Sequence, residues 1–477
     1  MLFNSIEFLL FLPTVFLIYW LLLKSLQSRN AFLLIASYLF YGWWDYRFLF
    51  LIFGITTVSY YGARLIDRYD ARPAVKKWCV GIVIAVCLGT LGVFKYFNFF
   101  AAGFTRILSL IGMDADPVSI DIILPVGISF YVFQAISYAV DVYRHKLRAV
   151  VDPLPFYVYI SFFPQLVAGP IERATNLIPQ FQVNRRFNYK QGVSGMCLIL
   201  WGLFKKMVVA DNAATIVNNI FADYQDVGTV NLWIGAILFS FQIYGDFSGY
   251  SDIAIGTARL FGVNLMRNFH MPYFSRDVAE FWRRWHISLN TWFVDYLYIP
   301  LGGSRHGKWR TARNTAVVFL VSGLWHGANL TFIAWGAWHA LLFMPLLITG
   351  RTKRHLPSTA AGPVCFKDVL MMGVTFMLVM IGWVIFRADY LYLGLNYIAL
   401  MFSNFSSASV IMGKTALTWC ALMIIAEWLT RDREAPTEFR QTGIFRHRAV
   451  RWSMYILLFL IVLIFSGVKT EFIYAKF

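Results

Sequence analysis

The chain has 477 residues, 59% of them hydrophobic and only 14% charged, and a mean hydropathy of +0.60. That composition excludes an ordinary soluble globular protein and predicts a polytopic membrane protein. The net charge of +17 would suit a nucleic-acid binder, but the lysines and arginines sit in short loops between apolar runs, where membrane topology places them.

The first apolar run, residues 7–23, follows MLFNSIE, which has no basic n-region, and no small-residue cleavage site comes after it. It is expected to stay as a span and not to be removed as a signal peptide. Further runs of spanning or near-spanning length lie at 31–45, 48–63, 79–101, 122–142, 193–217, 231–258, 314–329, 330–349, 367–387, 408–428 and 451–468. Basic residues alternate across them. Lys24 and Arg29, then Arg64, Arg68, Arg72, Lys76 and Lys77, then Arg144, Lys146 and Arg148 mark one side, expected to be the cytoplasm. The loop 210–231 carries aspartates and no lysine or arginine, so it is expected to face outward, as are both termini. The five cysteines are scattered with no CxxC spacing, which predicts neither disulfides nor a zinc site.

Two segments break the pattern. Residues 154–173, LPFYVYISFFPQLVAGPIER, are short and proline-broken, and residues 281–305, FWRRWHISLNTWFVDYLYIPLGGSR, are aromatic but charged. Arg283, Arg284 and Asp295 at mid-bilayer would cost roughly 3 kcal/mol each on insertion scales, so both segments are expected to be re-entrant or interfacial. Irregular backbone at depth requires a surrounding of protein or a wet cavity. No repeat or low-complexity tract interrupts the chain, and the largest polar piece, 430–451, reads as a loop. Residues 1–477 therefore read as a single integral membrane domain.

Trp282, Trp285, Leu289, Trp292, Phe293 and Tyr296 fall on one helical stripe, which by itself describes an interfacial amphipathic helix. His286 lies at the edge of that stripe, one turn before Asn290, where it could be a hydrogen-bonded core histidine or a functional one. His326, in GLWHGAN, sits between two apolar runs among small residues that admit another group. An imidazole at such depth can act as a general base near neutral pH; a structural histidine and a proton relay are the alternatives. His339 does not share a helix face with His326 and reads as packing. No HExxH, carboxylate cluster, GxSxG or P-loop is present, so no metal is expected and the common hydrolase and phosphate-cradling readings fall away. In FQIYGDFSGYSDIAIG, Asp246 and Asp252 interrupt an apolar run, which is the argument for a transporter; the glycines and hydroxyls there could equally bind an acceptor or pack helices.

Taken together with MLFNSIEFLLFLP, SYLFYGWWDYRFL, LPVGISFYVFQAISYAVDVYR and FFPQLVAGPIER, these motifs resemble the membrane-bound O-acyltransferase family, in its bacterial branch of alginate O-acetyltransferase membrane subunits. The resemblance runs along nearly the whole chain. It implies an all-α polytopic membrane protein of about 11–12 transmembrane helices plus re-entrant or interfacial helices around a central tunnel, with the catalytic core over about 120–350, in the bacterial inner membrane. It further implies that His326 is catalytic, with His286 close to it. Acetyl-CoA, or another acyl thioester, would enter from the cytoplasm, its phosphates drawn by Arg267, Arg276, Arg283, Arg284, Arg305, Lys308 and Arg310. Asn290, Asn329, Trp325, Arg283, Arg284 and Asp246 are the expected substrate-binding residues, and His286, Asn290 or Asn329 would donate to the oxyanion. A covalent acyl-histidine is a variant. The acceptor would be an extracytoplasmic polysaccharide, reached through a partner of the SGNH-hydrolase-like type. Competing readings are a transporter or export component without bond chemistry, an acyltransferase for long chains acting on protein or lipid, and an assembly scaffold.

Overall fold

A computed structural model describes residues 1–113, 116, 119–120, 123–167, 169–355, 364–405, 411–439 and 443–473. Each apolar run lands on helix, with trimmed ends, and no strand occurs among the described residues. The runs at 122–142 and 408–428 begin outside those residues and become helices at Ile128–Tyr143 and Lys414–Leu429; residues 440–442 of the 430–451 loop also lie outside. Among the described residues, six helices are long and apolar enough to cross a membrane by length and composition: Arg47–Arg68, Pro73–Leu110, Tyr189–Ala222, Leu330–Ile348, Phe366–Arg387 and Arg448–Phe465. Leu391–Ser403 is a further apolar helix that the run-length reading did not pick out. The expected re-entrant segments are broken helices: Pro153–Ser161 and Phe163–Leu166 in one, Val278–Arg284 and Ile287–Phe293 in the other.

The chain packs as two compact units, one of Met1–Gln191 with Ala258–Met266, the other of Gly192–Thr257 with Arg267–Phe477. In the first unit, polar side chains close the joints that apolar packing leaves. The Asn30 amide donates to the Phe181 carbonyl at 2.6 Å, and the buried Arg185 guanidinium donates to Tyr19 Oη at 2.6 Å and to Asn30 Oδ1 at 2.8 Å. Glu172, at the end of the proline-broken segment, is fully buried and accepts from the Asn176 amide at 2.7 Å and from the Met266 backbone N–H. Two of the basic loops meet at Lys76 and His145. Lys76 Nζ is 2.6 Å from Asp70 and 2.8 Å from His145 Nε2, and that ammonium holds the Asp70 carboxyl below the usual carboxylate range.

In the second unit, the Tyr189–Ala222 and Thr229–Leu260 helices meet backbone to backbone. A Cβ on Gly249 would sit 2.7 Å from the Gly202 carbonyl oxygen, and one on Gly256 would collide with that of Gly195. The glycines of YGDFSGYSDIAIG are thus a packing seam of the small-residue kind that membrane helices use. On this seam Asp246 lies 2.6 Å from Lys206 and Asp252 lies 2.6 Å from Lys205. The lysines come from a π-helical stretch, Phe204–Ala210, in the facing helix. Lys206 also binds Asp211 at 2.7 Å and the Thr470 carbonyl at 3.2 Å, while the Ile473 N–H donates to Asp246 Oδ2 at 2.6 Å. Residues 467–473 are thereby drawn onto the seam, with Phe472 packed on Tyr250 at a centroid distance of 4.5 Å.

Removing one member of a buried ion cluster strands the others, at a cost of roughly 3–5 kcal/mol. Lys206→Met should lower the thermal midpoint of the detergent-purified protein sharply, and adding Asp211→Asn and Asp246→Asn should recover part of the loss.

Candidate active site

His326 is the last residue of the Lys308–His326 helix, and Asn329 caps the next helix, Leu330–Ile348, by accepting from the Thr331 N–H at 3.2 Å. The two helices form a close hairpin because Gly323 and Gly336 let each backbone touch the other: a Cβ at either position would collide with the Phe332 or Phe319 carbonyl. The imidazole, 3% exposed, is packed by Trp335 at 4.9 Å, Trp325 at 5.0 Å and Phe386 at 5.7 Å between ring centroids. Its Nδ1 lies 2.6 Å from the Ser322 carbonyl. A carbonyl only accepts, so Nδ1 carries the proton and Nε2 keeps its lone pair.

His286 sits at the break between Val278–Arg284 and Ile287–Phe293, in the left-handed backbone region with φ of 45°. That conformation is costly for a residue with a side chain and is found where surrounding structure enforces it. Here the enforcement is visible. The Asn290 amide donates to the Trp282 and Trp285 carbonyls, each at 2.6 Å, and the Ile287 N–H donates to the Asn268 carbonyl at 2.9 Å. The His286 ring packs on Phe247 at 4.7 Å, and its Nδ1 is 3.0 Å from Asn268 Oδ1.

Trp325 brings the two histidines together. Its ring centroid is 5.9 Å from that of His286 and 5.0 Å from that of His326. Other expected site residues are committed elsewhere. Asn290 spends both amide hydrogens on the helix break, and the Asn329 amide donates one of its two to the Asp389 carbonyl at 2.8 Å. Asp246 and Asp252 are each paired with a lysine, and the Lys206 ammonium is shared with Asp211. Arg283 donates to the Thr352 and His355 carbonyls at 2.7 and 2.8 Å, Arg284 pairs with Glu280 at 2.7 Å, Arg276 with Glu280 at 3.0 Å, and Arg267 donates to the Glu434 carbonyl at 2.7 Å. Of the seven candidate cations, Arg305, Lys308 and Arg310 are the exposed ones. On the loop that receives Arg283, burial and the neighbouring Arg276 hold the His355 imidazole below its usual range.

His339 is fully buried among Trp282, Trp335 and Trp383. Among the described residues no cluster of three histidine, cysteine, aspartate or glutamate side chains could hold a metal. Sequence reading missed Asn268, a lone amide in RNFHMPY with no pattern to mark it. It also missed Lys205 and Lys206, although two lysines inside an apolar run were themselves a signal that counter-ions must be near.

Comparison with known proteins shows what the chain is similar to. The profile of the membrane-bound O-acyltransferase family matches residues 144–383, which include both histidines. The chain is 42% identical to the probable alginate O-acetylase AlgI of Pseudomonas aeruginosa over 84% of its own length and 75% of that protein's. It is 35% identical to a peptidoglycan O-acetyltransferase of Helicobacter pylori, covering 81% of this chain and 77% of the relative, and 26% identical to a teichoic acid D-alanyltransferase of Bacillus subtilis over 54% and 68%.

Because Asn290 holds the break that presents His286, Asn290→Ala leaves two backbone carbonyls without a donor. A loss of about 1–3 kcal/mol is expected, read as a lower melting temperature, with activity falling further than the fraction unfolded explains.

Proposed function

The chain belongs to the membrane-bound O-acyltransferase family, and from that premise we propose that it moves an acetyl group from a cytosolic thioester to hydroxyls of an extracytoplasmic polysaccharide. The single observation that carries this reading is the pair of buried imidazoles that both pack on Trp325, with His326 Nδ1 held on the Ser322 carbonyl. Named relatives acting on alginate and on peptidoglycan support a glycan as acceptor.

In this reading the acceptor hydroxyl attacks the thioester carbonyl while His326 Nε2 takes its proton. The tetrahedral intermediate then collapses, the carbon–sulfur bond breaks, and the thiolate leaves with the proton from His326. The Ser322 carbonyl, accepting from Nδ1, stabilises the imidazolium that forms between the two steps. The aromatic walls of Trp325, Trp335 and Phe386 exclude water, so hydrolysis does not compete with transfer. Acetyl-CoA is the donor of choice, with Arg305, Lys308 and Arg310 drawing its phosphates. Delivery to the polymer falls to an SGNH-hydrolase-like partner outside the inner membrane.

The test is release of free CoA from acetyl-CoA by purified protein, supplied with a soluble hydroxyl acceptor. His326→Ala should reduce it on the order of 10²–10⁴-fold, and His286→Ala should also lower it. A carrier without bond chemistry would release no CoA, and a preference for palmitoyl over acetyl donors would assign a different acyl class. Replacing Arg305, Lys308 and Arg310 together by alanine should raise KM for acetyl-CoA at low salt, and the difference should shrink as salt rises.

A further inference from the structure

We propose that Asn268 is a positioning residue that fixes His286 as its Nδ1–H tautomer, so that Nε2 presents a lone pair and accepts a hydrogen bond from the reacting hydroxyl while His326 takes that hydroxyl's proton. The inference rests on the acyl-transfer reading and deepens it. It also replaces the role of neutral oxyanion donor that the sequence suggested for His286.

Three hydrogen bonds converge on one amide oxygen. Asn268 Oδ1 lies 3.0 Å from His286 Nδ1, 2.9 Å from the Ser288 hydroxyl and 3.4 Å from the Ser288 backbone nitrogen. The backbone N–H can only donate, so the atom facing all three is the oxygen, and His286 Nδ1 must carry the hydrogen. A neutral imidazole protonated at Nδ1 has no hydrogen at Nε2. It can accept a hydrogen bond there and cannot donate one.

The same residue holds the backbone. Its carbonyl accepts from the Ile287 N–H at 2.9 Å, and two residues on, the His270 N–H donates to the Arg284 carbonyl at 2.9 Å, so residues 268–270 bind the chain on both sides of the left-handed His286. Asn268 is fully buried, and its Nδ2 has no hydrogen-bond partner among the described residues. Aspartate at this position would keep the shape and the acceptor, and would lose no hydrogen bond that the structure contains. The charged and titratable groups on the elements packed around His286 are His326, the Lys206–Asp246 pair beside Phe247, Glu280, Arg283 and Arg284 before the break, and Arg267 and His270 beside Asn268. N268D alters none of them.

The experiment compares wild type, N268A, N268D, H286A and H326A in the CoA-release assay across pH, each checked for monodispersity and melting temperature. For N268A, kcat should fall on the order of 10²-fold with KM for acetyl-CoA little changed, as expected when the acceptor that orients the reacting hydroxyl loses its own orientation. N268D should keep most of the wild-type maximum, with the acid limb of its profile moved to higher pH: a carboxylate beside Nδ1 favours the charged imidazolium, so the lone pair on Nε2 becomes available only at higher pH. N268A at wild-type rate, or N268D as inactive as N268A at every pH while still folded, would overturn the proposal. An alkaline limb extended by N268D, with the acid limb unmoved, would overturn it too, because His286 would then act in its charged form. Should H286A match wild type while H326A is dead, the role of His286 fails and with it that of Asn268, but acyl transfer stands; CoA release unaffected by H326A would sink the underlying reading instead.

Discussion

A helix interrupted inside a bilayer must find partners for the backbone groups the interruption frees, because lipid offers none. At the His286 break several of those partners are protein groups. Asn290 reaches back to two carbonyls of the preceding helix, Asn268 supplies a carbonyl to the following one, and His270 closes the strand of chain alongside. The remainder of the centre follows from that solution. Once the break is capped, the imidazole at its apex cannot swing into the helix axis, and it is delivered against Trp325, whose other neighbour is His326.

The two histidines are held by different means. His326 ends a regular helix and leans on a carbonyl one turn back, so its orientation comes with helical geometry itself. His286 depends on residues eighteen positions upstream in the chain, across a segment that carries its own left-handed residue at Met271. The first arrangement tolerates much change around it. The second is only as good as the fold of residues 268–290 as a whole.

This difference decides what could be read from sequence. The spans were legible because a 3.6-residue period is irrelevant to a helix apolar all round; hydropathy and length suffice, and they fail only where a helix is short, as at Leu391–Ser403. The burial of the histidines was legible because they lie within or beside apolar and aromatic runs. Asn290 and Asn329 were seen, but their backbone partners were not, since an amide near a buried histidine looks alike in sequence whether it faces a cavity or holds a helix end. Asn268 was invisible for the same reason that it matters: its partner is long-range, and nothing in RNFHMPY predicts a return to residue 286. Asp246 and Asp252 show the converse, in which two carboxylates were weighed without the two lysines that pair with them.

The cluster around Lys206 also bears on how the protein is made. Thr470 lies 264 residues beyond the lysine it binds, and Ile473, whose N–H satisfies Asp246, comes later still. The helices that carry the ammonium and its carboxylates therefore leave the ribosome and enter the membrane long before their last hydrogen-bonding partners are synthesised. Until residues 470–473 are made, the Lys206 cluster lacks the partners that complete its hydrogen bonds, so this joint can close only after the helices that carry it.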